Sequence, residues 1–136
     1  MGTWSVDAFG NDDAADWAHE LEDAEDLSSV QEAIDAVLDV GDAYLEASEA
    51  SVALAAIEVL ARLGGNPGEK NAYPEVVDKW ISSTELKPTI ELLDKAQAAI
   101  VRILAEDSEL KELWEDSDEY EAWCASVDDF RARVGA

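Results

Sequence analysis

The chain of 136 residues carries 33 Asp and Glu against 9 Lys and Arg, a formal net charge of −24, while 48% of its residues are hydrophobic and five are Trp. So much apolar surface calls for a core and argues against a wholly disordered chain, and the length suits one domain that buries roughly two thirds of its unfolded surface. The negative field makes nucleic acid and anionic bilayers the least favoured direct partners, and leaves basic proteins and cations compatible.

In chain order, residues 1–10 have no helical pattern. Trp4, Val6 and Phe9 alternate with small or polar residues, which reads as a non-helical N-terminal arm laid across the domain. Asn11, Asp12 and Asp13 then offer caps and negative charge for a first helix over about 12–24, with Ala14, Trp17, Ala18 and Leu21 on one stripe. Ser28 with Gln31 and Ser29 with Glu32 form overlapping capping boxes ahead of Val30, Ile34, Val37 and Leu38, and Gly41 ends that second helix. Ser48 is the expected cap of a third helix over about 49–63, whose alanines permit a close helical neighbour and whose end is set by Gly64 and Gly65.

Residues 64–73 form the clearest loop, although neither side alone is large enough to be a separate domain. Pro74 opens a helix carrying Val76, Val77, Trp80 and Ile81, and Pro88 opens a longer one reaching about residue 106. Ser108 caps a short helix with Leu110, Leu113 and Trp114; the last helix, about 118–134, presents Tyr120, Trp123, Val127, Phe130 and Val134. The expected fold is all-α: a single compact bundle of five to seven helices spanning residues 1–136, with no convincing strand.

Cys124 is the sole cysteine, so the chain has neither a disulfide framework nor a cysteine zinc site, and it reads as a small packing residue. No leader-like segment and no apolar run of about 18 residues occurs, making the cytoplasm the expected compartment. Asp16, His19, Glu20 and Asp23 can share one face of the first helix, where oxygen and imidazole donors suit a divalent transition metal. A solvated acidic face accounts for the same spacing. Residues 106–121 hold a second acidic cluster with Lys111 as its one opposing charge, compatible with a solvated surface or with imitation of duplex phosphates. The chain lacks a His-Glu-x-x-His pair, a nucleophile elbow and a phosphate-binding glycine loop, so the reading leans away from an enzyme and calls for no cofactor.

The opening Met1-Gly2-x-Trp4, Phe9-x-Asn11-Asp12-Asp13-Ala14 and Asp16-Trp17 resembles the bacterial domain-of-unknown-function family 4259. Residues 46–50, the helix before Gly64-Gly65, and the segment from Leu110 through Trp123 extend the resemblance over most of the chain. It implies no reaction, cofactor or catalytic set. Within the opening, Trp4, Phe9 and Trp17 anchor the arm and the Asn-Asp pair caps the helix; alternatively, Trp4, Phe9, Asn11, Asp13 and Trp17 line a ligand or partner groove.

Three function classes follow. The first is a cytoplasmic accessory or protein-interaction domain with a basic or cationic protein partner. The second is an acidic DNA-mimic inhibitor of a basic DNA-binding protein, and the third a hydrolase using carboxylate and His metal ligands.

Overall fold

The computed structural model describes residues 12–21, 27–41, 43–63, 79–81, 83–84, 87–105, 107–116 and 120–135. The expected arm, the loop at 64–73 and the helix opening at Pro74 up to residue 78 lie outside the described residues. Six helices are defined: α1 (Asp12–Leu21), α2 (Ser28–Asp39), α3 (Ala47–Leu63), α4 (Ile90–Leu104), α5 (Glu109–Glu115) and α6 (Tyr120–Gly135). Residues 79–81 and 83 are also helical. The all-α expectation holds; among the described residues the one strand-like feature is an isolated parallel bridge between Leu45 and Ser108.

Helix α3 organises the bundle. Residues 53–61 are all buried, and nine successive residues at about 100° each cover every side of a helix, so α3 is enclosed rather than merely packed on one face. It meets α1, α2, α4, α5 and α6. The sequence accounts for this directly. Ala50, Ala53, Ala55, Ala56 and Ala61 are all buried, and short side chains reduce the distance at which neighbouring helices can approach. Leu54, Ile57, Val59 and Leu60 fill the spaces between those neighbours.

The surrounding helices each turn an apolar stripe towards this axis. Trp17 and Leu21 come from α1; Val30, Ala33, Ile34 and Val37 from α2; and Leu92, Ala96, Ala99, Ile100 and Ile103 from α4. Full burial of a Leu, Ile or Val is worth about 1.5–3 kcal/mol relative to exposure, which makes these stripes the dominant stabilising element. Polar ties at the edges set the arrangement: Lys95 of α4 pairs with Asp35 of α2 at 3.1 Å, and Gln97 Nε2 donates to the Arg131 carbonyl of α6 at 2.9 Å.

Helix starts depart from the expected caps in three places. Helix α2 begins at Ser28 with Leu27 in the cap position and no side-chain cap bond, so neither predicted capping box stands at the boundary. Helix α3 begins at Ala47, ahead of Ser48, because its first N–H has a partner elsewhere in the chain. Pro88 is not the first residue of α4: Thr89 is the cap, its Oγ1 accepting from Leu92 N at 3.1 Å, and the helix ends at Leu104. Two boundary residues act as expected. Gly41 takes φ +59° just past α2, and Ser108 caps α5, accepting from Lys111 N at 3.5 Å.

Candidate functional site

Among the described residues, the densest set of long-range polar contacts joins the connection after α2 to the turn before α5. Gly41 turns the chain through the left-handed region, and the segment beyond it runs alongside residues 107–109. Leu45 N–H donates to the Asp107 carbonyl at 2.7 Å, and Glu109 N–H donates back to the Leu45 carbonyl at 2.9 Å. The Leu45 side chain is fully buried, as is Ser108. Asp107 has φ 63°, a conformation that Asp tolerates better than most side chains and that lets the chain leave α4 and enter α5 within a few residues.

Side chains reinforce this clasp. Arg102, in the last turn of α4, donates through Nε to the Gly41 carbonyl at 3.0 Å and through Nη2 to the carbonyls of Ala43 and Asp107. Its planar fork is suited to several fixed acceptors at once. Tyr44 OH donates to Glu112 Oε2 at 2.7 Å. That bond, with smaller contributions from burial and from the charges of Glu112, Glu109 and Asp107, pushes the Tyr44 phenol up to about 12. A phenol held there keeps its proton at neutral pH and remains a hydrogen-bond donor to Glu112. Glu109 is committed too, accepting from the Ala47 N–H, and Glu115 lies 3.8 Å from Lys111. Three carboxylates of the second acidic cluster therefore have partners within the protein. Asp116 and Glu121 face solvent.

Helices α5 and α6 meet through an aromatic set. Trp114 and Trp123 stack with ring centroids 6.2 Å apart and planes 9° apart, and Tyr120 lies 6.2 Å from Trp123 at a 30° tilt. A hydrogen bond with Cys124, aided by burial, raises the Tyr120 phenol. Cys124 packs against the core, in keeping with its expected place.

The residues singled out beforehand are dispersed or only partly described. Trp17 is 7% exposed and belongs to the core. Trp4, Phe9 and Asn11 lie outside the described residues, as does the side chain of Asp13. Asp16, His19 and Glu20 are exposed on α1, while Asp23 lies outside the described residues. Among the described residues no three His, Cys, Asp or Glu side chains form a group able to hold a metal ion. None of the described helices is long and apolar enough to cross a membrane.

Two buried polar residues escaped the sequence reading. Ser51 and Glu58 are 4% and 3% exposed, seven residues apart on one face of α3. Burial of a carboxylate is tolerated when it is paired, and Glu58 has an interaction partner. The signal was present as the lone acid in an otherwise apolar run from Val52 to Leu60. Arg102 left no comparable trace, since its acceptors are backbone carbonyls, those of Gly41 and Ala43 about 60 residues away in sequence.

The family model described as domain of unknown function (DUF4259) matches residues 2–126 of the chain. No curated protein and no solved structure matches it.

Proposed function

The chain belongs to the DUF4259 family, and we propose that it is an accessory protein-interaction domain whose partner presents a cationic surface. The observation that carries this reading is the placement of the acids. Exposed carboxylates stand on all the outer helices: Asp16 and Glu20 on α1, Glu32 and Asp39 on α2, Asp94 on α4, Glu112 on α5 and Asp128 on α6. With a net charge of −24, such a surface attracts basic partners over a Debye length of about 8–10 Å and speeds their encounter. The same field discourages polyanions. A cytoplasmic setting agrees with a lone, unbridged cysteine.

The test is capture from the extract of the source cell at stepped ionic strength. A saturable partner retained above about 0.3 M salt, where exposed charges more than a few ångströms apart are screened, supports a specific interface. Loss of every captured protein below that salt concentration leaves only unspecific attraction and overturns the reading.

A further inference from the structure

Helix α4 has an unusual outer side. At 100° per residue, Leu92, Ala96, Ala99, Ile100 and Ile103 occupy one arc and are buried. Lys95 on one flank is tied to α2, and Gln97 on the other to α6. The remaining arc holds Ile90, Glu91, Asp94, Ala98, Val101 and Ala105, all exposed. Ile90 is 79% exposed and Val101 54%, and being eleven residues apart they lie within about 20° of each other around the helix and about 16 Å apart along it. The stripe carries four apolar residues and two carboxylates, and Arg102 at its edge, beside Lys95, has its guanidinium tied to the carbonyls of Gly41 and Ala43.

We infer that the outer face of α4 is the docking surface for a cationic amphipathic helix, which sets its apolar side on Ile90, Ala98 and Val101 and its basic side chains beside Glu91 and Asp94. The inference rests on the proposed function and names the surface it uses. Charge selects the occupant. A second copy of this chain would bring two bodies of −24 together with no cation on the stripe to relieve them, whereas a basic helix gains from Glu91 and Asp94 as well as from the field of the whole protein. The length suits the role too: Ile90 and Val101 lie about three turns apart along one line of α4, a span that the apolar face of a single partner helix can cover.

The probe is a synthetic peptide of about five helical turns, leucine along one face and lysine along the other, titrated into the full chain and followed by fluorescence anisotropy. Ile90→Asp and Val101→Asp each remove apolar contact while making the protein more negative, so apolar docking and plain attraction predict opposite signs. The expected result is binding weakened about tenfold by each, and unchanged by Leu113→Asp, an equal charge change at an exposed residue of α5. All three positions are exposed, and unchanged thermal midpoints confirm that the variants fold. Amide shifts of the wild type on peptide addition are expected to centre on residues 90–105. Binding that is unchanged or tighter in the Ile90 and Val101 variants, or absent in the wild type, overturns the inference. The proposed function fails separately, if the extract yields no salt-resistant partner.

Discussion

The Glu109 carboxylate accepts a hydrogen bond from the backbone N–H of Ala47 at 2.8 Å, across 62 residues of sequence. Ala47 is the first residue of α3, so a side chain from α5 accepts from the first N–H of the helix and places negative charge at the positive end of the helix dipole. Glu109→Ala is expected to cost about 1 kcal/mol, with Glu109→Gln costing less because it keeps an acceptor. Urea denaturation checks this, and an Ala variant with an unchanged midpoint would show that water replaces the cap without penalty.

Alkaline stability should depend on Tyr44. Its phenol ionises near 12 in the fold against 10.0 as a free group, so the folded state holds a proton that the unfolded chain releases between those values. The contribution is complete below about pH 10 and disappears as pH rises towards about 12. Phenolate absorbance should therefore include a late-titrating component from Tyr44, and Tyr44→Phe should remove that component and leave the raised Tyr120 phenol in place. The loss of stability over this window should also be shallower in the variant than in the wild type; identical profiles would refute the assignment.

Glu58 tests the centre of the bundle. Removing a buried, partnered carboxylate leaves its partner unsatisfied, and Glu58→Ala is expected to cost about 2–3 kcal/mol. Glu58→Gln, which keeps the shape and an acceptor, should cost less. If chemical denaturation shows the Ala variant within about 0.5 kcal/mol of wild type, the buried carboxylate has no structural role.

The stacked pair Trp114 and Trp123 joins α5 to α6. Both rings are buried, and Trp123→Ala is expected to cost about 3–5 kcal/mol from lost burial and the cavity left behind. The near-ultraviolet circular dichroism of the pair should vanish with it. A retained signal would mean that the tryptophan stack is not its source.

What the sequence determined alone was what each helix could establish with its own neighbours. The apolar spacing in α2, α4 and α6 produced the all-α reading, Gly41 closed α2 through its positive φ, and Ser108 capped α5, because these features act over one or two turns. Family membership was legible in the same way, from the opening motif. The candidate surface was half visible: Ile90 and Val101 are hydrophobic in the sequence, but hydrophobicity does not say which side of a helix its neighbours take.

Only the tertiary structure decided that α3 is enclosed on every side, that Leu27 and not a Ser capping box stands at the start of α2, and that Glu109 and Glu112 are committed to Ala47 and Tyr44. The physical reason is distance along the chain. A helical period repeats within a few residues, whereas Gly41 and Ala43 as partners of Arg102, Ala47 as partner of Glu109 and Asp35 as partner of Lys95 lie about 60 residues away and become neighbours only when the bundle closes. The charge count announced many carboxylates; closure of the fold settled which of them meet a donor within the protein and which face water.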